Sequence, residues 1–154
     1  MMKHRHHRQA DFNETLDRLL ELSVLLADDM VRDLQRRGLT RSRTHVVWLV
    51  HHRGPMTQRA LADATGVSAR NVTGLVDGLV DTGFVTREPH PSDRRAALIT
   101  LTQRGTATAD ELVREQAVLA RALFGDLPEA RFDQFSSGLD HVVGVLRRLL
   151  DEAS

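Results

Sequence analysis

Three polar side chains within one short stretch, Arg70, Asn71 and Thr73, are suited to reading the edges of DNA bases. An arginine can donate two hydrogen bonds to guanine, and an asparagine can pair in the same bidentate way with adenine. They follow Ser68, a good helix N-cap, and would occupy the first two turns of a helix. The free N–H groups at such a helix start can also hold a phosphate. The stretch predicts a recognition helix; an ordinary amphipathic surface helix is the alternative.

Two glycines inside this helix, Gly74 and Gly78, favour the recognition helix over that alternative. Each interior glycine costs a helix roughly 0.8–1 kcal/mol relative to alanine. At ~100° per residue both are predicted on the outward side, opposite the apolar face. That apolar face holds Val72, Leu75, Val76, Leu79 and Val80. We expect an outward face that carries this cost to approach a groove wall closely.

A pair of arginines stands between two β-prone runs, 84–87 and 97–101, in a stretch rich in turn-forming residues. Arginines on such a projecting hairpin tip can enter a narrow minor groove. The neighbouring Asp93 can orient one of them by a charge-assisted hydrogen bond. We therefore expect Asp93, Arg94 and Arg95 to contact DNA. A solvated turn of mixed charge is the alternative.

Apolar periodicity and capping residues predict six helices around these two sites. They span 12–37, 42–52, 58–65, 69–82, 103–124 and 129–150. Two short helices separated by a turn with Gly66 form the helix-turn-helix pattern, and the hairpin of 84–101 follows it as a wing. The predicted fold class is mainly α with a small β-hairpin wing. We expect one domain, 1–154, in which 42–102 is the DNA-binding lobe.

The last predicted helix carries an apolar seam at alternating spacings of three and four residues, as in a coiled coil. The seam consists of Phe132, Phe135, Leu139, Val142, Leu146 and Leu149. The first helix is apolar on more than one side, with Phe12 and Leu16 near its start. Packing of these helices within one chain is the alternative, but it would leave apolar surface in water. We predict that 12–37 and 103–150 form a homodimer interface.

The run 93–102, DRRAALITLT, resembles the wing signature of the MarR family, with Asp93, Arg95, Leu101 and Thr102 at its fixed positions. The segments NVTGLVDGLVDTGFVTR and TQRALADATGVS are similar to the family's recognition helix and the helix before it. The resemblance implies an obligate dimer that binds a palindromic operator in double-stranded DNA, usually as a repressor released by a small molecule. Gly74 departs from the pattern, since family members often carry a basic residue there.

Aromatic and imidazole groups gather on the second predicted helix, which borders a ligand cleft in the resembling family. Trp48 offers a stacking surface, and His45 and His52 can supply a hydrogen bond or a positive charge. A small aromatic or carboxylate effector would suit them; plain packing is the alternative. No spacing of His, Asp and Glu is convincing for a metal, and we expect neither metal nor cofactor. We interpret the histidines of 1–8 as a flexible basic arm or a cloning remnant.

The net charge of the chain is zero, but the charge is unevenly distributed. Residues 1–104 hold 16 Lys and Arg against 12 Asp and Glu, whereas 105–154 hold 5 against 9. The excess of positive charge in the first part gives weak support for a polyanionic partner such as DNA.

Several classes of protein are disfavoured by what the sequence lacks. Without cysteine there is no thiol nucleophile or redox switch. With no apolar run near ~18 residues and no secretory signal, we expect a cytoplasmic protein. No G-x-S-x-G, H-E-x-x-H or phosphate-loop motif is present, so we do not expect an enzyme. A winged helix that contacts only proteins is a further alternative, which the arginine-rich hairpin tip disfavours.

Overall fold

Six helices and three short strands form residues 2–153, the part that the computed structural model describes, with side chains described from residue 8 onward. The helices are α1 (Met2–Arg36), α2 (Arg41–Arg53), α3 (Gln58–Thr65), α4 (Ala69–Asp81), α5 (Gln103–Phe124) and α6 (Glu129–Glu152). The strands are β1 (Met56–Thr57), β2 (Val85–Pro89) and β3 (Ala97–Leu101). The chain divides into two compact units, Met1–Ala109 and Asp110–Ser154. The predicted fold class is confirmed.

The helix-turn-helix is bounded by polar caps. Thr57 Oγ1 accepts a hydrogen bond from the N–H of Ala60 at 3.1 Å, and Ser68 Oγ accepts one from the N–H of Asn71 at 3.3 Å. Gly66 ends α3 in the left-handed conformation, with φ 68°, which glycine adopts without strain. These contacts confirm the predicted boundaries between α3 and α4.

The first helix is longer than the sequence pattern predicts, because it begins at Met2 rather than at residue 12. Residues 2–11 contain neither proline nor glycine, so nothing in them stops a helix. Apolar periodicity marks only the part of a helix that packs, and it therefore misses such an extension. The side chains of the N-terminal histidines lie outside the described residues. Within residues 8–36, Leu34 is the only buried side chain.

The three strands pair antiparallel in the order β1-β3-β2. The β2–β3 hairpin begins with Val85 opposite Leu101 and confirms the predicted wing, although β2 starts one residue later and ends two residues later than predicted. β1 pairs with the outer side of β3 and is not predicted from the sequence. With only two residues, it is too short to show the alternation that identifies a strand.

A buried apolar core determines which face of α4 is left outside. The core side chains that are at most 1% exposed come from α2, α3, α4 and the wing: Val46, Val47, Leu61, Val72, Val76, Leu79, Phe84, Val85 and Ile99. Full burial of such a side chain is worth about 1.5–3 kcal/mol. Because Val72, Val76 and Leu79 all point into this core, the opposite face of α4 meets solvent.

A close backbone contact joins the wing to the start of α5. The Phe84 carbonyl oxygen accepts a hydrogen bond from the N–H of Thr102 at 3.0 Å, and a Cβ on Gly105 would lie only 2.0 Å from that oxygen. The Arg104 guanidinium lies 4.5 Å from the centroid of the Phe84 ring and donates to the Thr82 carbonyl at 2.8 Å. Position 105 therefore requires glycine, and the base of the wing is held in place.

The described part of the second unit, residues 110–153, contains no buried side chain. Where α5 turns into α6, the Phe124 ring lies 5.6 Å from that of Phe132 and 5.9 Å from that of Phe135, measured between centroids. Beside this cluster lies an open recess of about 410 Å³, lined in part by Leu127 and Arg121. The unit thus has aromatic contacts at its turn but no enclosed core.

Both helices predicted to form the dimer interface present apolar side chains to solvent in the single chain. The predicted seam of α6 is exposed along its whole length, from 38% at Phe132 to 57% at Leu149. Phe12 and Leu16 of α1 are more than half exposed.

Among the described residues, every helix is too short or too polar to span a membrane.

Candidate nucleic-acid interface

The outward face of α4 contains the residues that the sequence predicts for base contacts. Arg70, Asn71, Thr73 and Gly74 are all exposed, as is the capping residue Ser68. They lie in the first two turns, where a recognition helix meets base edges. The helix thus presents its polar residues outward while its apolar residues anchor it to the core.

The polar side chains of this face differ in how many of their hydrogen-bonding groups are already used within the protein. The Arg70 guanidinium has no hydrogen bond or ion pair with any residue in the described part of the chain. The Thr73 hydroxyl, in contrast, donates to the Ala69 carbonyl at 3.0 Å and accepts from Gln58 Nε2 at 3.0 Å. Because a hydroxyl has a single proton to donate, Thr73 is left with its methyl group and one acceptor position. Arg70 keeps all its donors.

The two glycines of α4 have different surroundings. A Cβ on Gly74 would meet nothing within 4 Å, so this position faces open space as predicted. Gly78 is half-buried, and a Cβ there would lie 2.2 Å from Nη2 of Arg43. The prediction that both glycines face outward is therefore wrong for Gly78, where the Arg43 guanidinium from α2 covers the helix. Helical spacing alone could not show that a side chain from another helix crosses this point.

At the wing tip, Asp93 orients the backbone and not an arginine side chain. Its Oδ1 accepts a hydrogen bond from the N–H of Arg95 at 2.9 Å, which corrects the predicted bond to a guanidinium. The side chains of Arg94 and Arg95 are exposed and have no partner among the residues that the structure describes. A short aspartate side chain bonds the backbone N–H two residues ahead more readily than it bonds a flexible guanidinium. The carboxylate thereby shapes the turn that carries both arginines.

Sequence reasoning missed two further side chains that organise the wing. His90 Nδ1 accepts hydrogen bonds from the N–H groups of Ser92 at 3.2 Å and Asp93 at 3.1 Å. Arg87 of β2 forms an ion pair with Asp77 of α4, which connects the wing strand to the recognition helix. The local spacing of His90 and Ser92 is compatible with such a turn. No signal in the sequence connects residues 77 and 87, because that contact depends on the packing of β2 beside α4.

The residues predicted to bind an effector lie in a row along α2. The Trp48 ring lies 4.2 Å from that of His52 and 6.5 Å from that of His45, between centroids. His52 Nδ1 is 2.9 Å from the Trp48 carbonyl oxygen, and the indole is 46% exposed. They form an exposed aromatic strip rather than an enclosed cleft. Among the described residues, no group of three His, Asp or Glu side chains is arranged to hold a metal ion.

Comparisons with known proteins agree with this geometry. Residues 39–97 match the model of the MarR family. In Bacillus subtilis (strain 168), the HTH-type transcriptional regulator YkoM is 29% identical over 105 residues, which are 68% of each chain. The HTH-type transcriptional repressor YetL of the same organism is 31% identical over 99 residues, 62% of this chain and 58% of YetL.

Solved structures share the fold over most of the chain. The disulfide form of AbfR gives a TM-score of 0.71 at 24% identity and covers 97% of both chains. The FabT protein of Streptococcus pneumoniae, solved in complex with DNA, gives 0.72 at 17% identity and covers 86% of this chain and 98% of FabT. At such identities the likeness shows the fold alone.

An exposed recognition helix followed by an arginine-tipped hairpin defines a winged helix-turn-helix protein of the DNA-binding class. With the match over residues 39–97 and the relatives just described, the chain contains a domain of the MarR family of transcriptional regulators. It is accordingly a DNA-binding regulator of transcription and not an enzyme. The resemblance found in the sequence is confirmed.

Proposed function

We propose that the protein is a repressor that binds a palindromic operator as a homodimer and leaves it when a small molecule binds. The observation that carries the proposal is the state of three arginines. Arg70, Arg94 and Arg95 are exposed, and none has an internal partner within the described residues. Guanidinium groups without protein anions are available for guanine edges and phosphates. Ser68, Asn71, Thr73, Gly74 and Asp93 complete the proposed contact surface.

The exposed apolar surface of α1 and α6 supports the homodimer. Among the described residues, nine large apolar side chains of α1 and eight of α6 are more than a third exposed in the single chain. Soluble monomers rarely leave large apolar patches in water. The proposed interface comprises Phe12, Leu16, Phe132, Phe135, Leu139, Val142, Leu146 and Leu149. Two-fold symmetry would then place the two recognition helices about 34–36 Å apart, one turn of DNA.

Release by a small aromatic or carboxylate effector is the part of the proposal that involves α2. Trp48 offers an exposed ring face, and His45 and His52 stand on either side of it along the helix. An aromatic carboxylate could stack on the indole and accept a hydrogen bond from an imidazole.

Because the proposed partner is operator DNA, the cytoplasmic location expected from the sequence is part of the same proposal.

The operator is tested by selecting duplexes from a random pool with the purified protein and measuring affinity at several salt concentrations. Replacing Arg94 and Arg95 by alanine should lower the affinity about 10–100-fold and reduce the slope of log affinity against log salt by roughly two. The matched control replaces Arg147 and Arg148, an exposed pair near the end of α6, and should leave both quantities unchanged. Equal behaviour of the two variants would contradict the proposed wing contact.

The effector site can be tested by fluorescence, since Trp48 is the only tryptophan in the chain. Benzoate serves as the aromatic carboxylate probe. We expect saturable quenching of the indole emission, weaker binding when His52 is replaced by alanine, and dissociation of the selected duplex at the same concentrations. Quenching that rises linearly without saturation would contradict the assignment of this strip.

A further inference from the structure

His90 occupies the inner side of the wing tip and acts there as a hydrogen-bond acceptor. Its Nδ1 lies 3.2 Å from the backbone nitrogen of Ser92, 3.1 Å from that of Asp93 and 3.3 Å from Ser92 Oγ. The ring is half-buried, whereas residues 91–95 are exposed. One imidazole nitrogen therefore accepts hydrogen bonds from the N–H groups of two consecutive residues at the start of the turn.

The same turn is closed from its other end by backbone contacts and by Asp93. The N–H of His90 donates to the Ala96 carbonyl at 3.3 Å, and the N–H of Ala96 donates to the Asp93 carbonyl at 3.1 Å. Asp93 Oδ1 accepts from the N–H of Arg95. The two side chains, His90 and Asp93, thus satisfy the N–H groups of 92, 93 and 95 and define the backbone that carries Arg94 and Arg95.

This role requires a neutral imidazole. A nitrogen that accepts from two N–H groups must keep its lone pair, so the ring proton resides on Nε2. A protonated ring would direct an N–H of its own toward the N–H groups of Ser92 and Asp93. Both bonds would be lost.

We propose that His90 is a positioning residue of the wing, whose neutral ring holds the tip in the shape that presents Arg94 and Arg95 to DNA. Protonation of this ring releases the turn and weakens operator binding. The inference rests on the proposed contact between wing and DNA. It adds to that contact a dependence on pH which originates in one side chain.

The charged groups of the hairpin around His90 come from two places, β2 and the tip. β2 contributes Arg87, which is paired with Asp77, and Glu88, whose Oε1 accepts from Thr86 Oγ1 at 3.0 Å. The tip contributes Asp93, Arg94 and Arg95, and β3 contributes no titratable side chain. A protonated imidazole would also add positive charge near phosphate, which by itself raises affinity. The two effects have opposite signs, so the direction of the pH dependence separates a positioning role from a purely electrostatic one.

The matched variants are His90→Asn and His90→Ala. The Asn side chain has an acceptor oxygen that can bond the same two N–H groups, as in an Asx turn, but it does not titrate. Affinity for the selected duplex is measured at about pH 8 and about pH 5.5, on either side of the range in which histidine titrates. Dividing the affinity of the wild type by that of H90N at each pH cancels the contributions of the other seven histidines.

We expect H90N to equal the wild type at the higher pH and H90A to bind about tenfold more weakly, since two hydrogen bonds are lost. At the lower pH the affinity of the wild type should fall by up to about tenfold relative to that of H90N. A ratio that stays constant or rises on acidification would overturn the inference. So would an H90A variant that binds as tightly as the wild type at the higher pH.

A measurement on the free protein distinguishes this failure from a failure of the proposed function. Nitrogen NMR of the His90 ring should show the Nε2–H tautomer, and the amides of Ser92 and Asp93 should lose protection from exchange on acidification. If the amides show no such change, the inference fails while the wing contact stands on the Arg94 and Arg95 variants. If the amides respond but neither His90 nor the arginines affect DNA binding, the wing contact itself is wrong, and the inference fails with it.

Discussion

The winged helix-turn-helix lobe buries its large apolar side chains within one chain, whereas the helices α1 and α6 leave most of theirs exposed. Within residues 39–102 every large core side chain is enclosed, and Val46, Leu61 and Ile99 are fully buried. Residues 110–153 contain no buried side chain at all, and α1 buries only Leu34 among its described side chains. Yet α6 has a more regular apolar repeat than any helix of the lobe. Regular apolar spacing therefore shows that a face will be covered, but not by which chain.

This contrast separates two sources of stability. The lobe has the contacts of an independently folded module, since burial of each core side chain contributes about 1.5–3 kcal/mol. Among the described residues of the single chain, α1 buries only Leu34 and α6 buries no side chain, so the stability of these helices would depend on a second copy. The stability of these helices in the proposed dimer would therefore depend on protein concentration. The shape of the recognition helix and wing, in contrast, is set within one chain.

The largest effect is expected from a charge in the middle of the α6 seam. Leu139→Asp should raise the dimer dissociation constant by ~1000-fold or more, because burying an unpaired carboxylate costs several kcal/mol. Sedimentation velocity at several concentrations would measure the shift. Ser137→Asp, on the exposed polar face of the same helix, is the control and should remain dimeric. A Leu139→Asp protein that is still a dimer would show that the seam is not the interface.

A smaller effect is expected from cavities in the lobe. Leu61→Ala removes a fully buried side chain and should lower the free energy of unfolding by about 2–5 kcal/mol. Leu25→Ala, at a position 61% exposed in α1, should cost the lobe less than about 1 kcal/mol. Urea unfolding at low and high protein concentration measures both. Equal losses at every concentration would mean that α1 is as firmly packed inside one chain as the lobe, contrary to the comparison.

Adding one methyl group to a glycine should have opposite consequences in the two regions. Gly105→Ala should destabilise the lobe by about 1–3 kcal/mol, because its Cβ would collide with the Phe84 carbonyl oxygen. Gly144→Ala in α6 meets only the end of the Arg148 side chain at 3.9 Å and should stabilise the protein by up to about 1 kcal/mol. Thermal unfolding of the two variants would show the signs. A harmless Gly105→Ala would indicate that the joint between wing and α5 is looser than described.

Much of the fold follows from signals that act over short distances along the chain. Thr57 and Ser68 cap their helices as predicted, and Gly66 takes the left-handed conformation expected after α3. The wing hairpin lies where the β-prone runs and the turn between them predict it. The two-residue β1 and the early start of α1 leave no such signal, since neither depends on a repeated apolar pattern.

The candidate site is predictable in location but not in its internal bonds. Arg70, Arg94 and Arg95 are exposed where the sequence places them, and their contact with DNA stays a prediction. Spacing alone did not indicate the partners of Thr73, and Asp93 bonds a backbone N–H and not the predicted guanidinium. Each depends on a choice among nearby donors and acceptors that is made only when the backbone has a definite shape.

By itself, the sequence determined the order of the helices, the apolar face of α4, the arginine-tipped hairpin and the family. These properties depend on residue types within one or two turns of each other, which act before any distant contact forms. Only the tertiary structure decided that Arg43 covers Gly78, that Asp77 pairs with Arg87 and that Gln58 bonds to Thr73. Each of these contacts joins residues from different helices or strands, and their distance is set by the packing of the shared core.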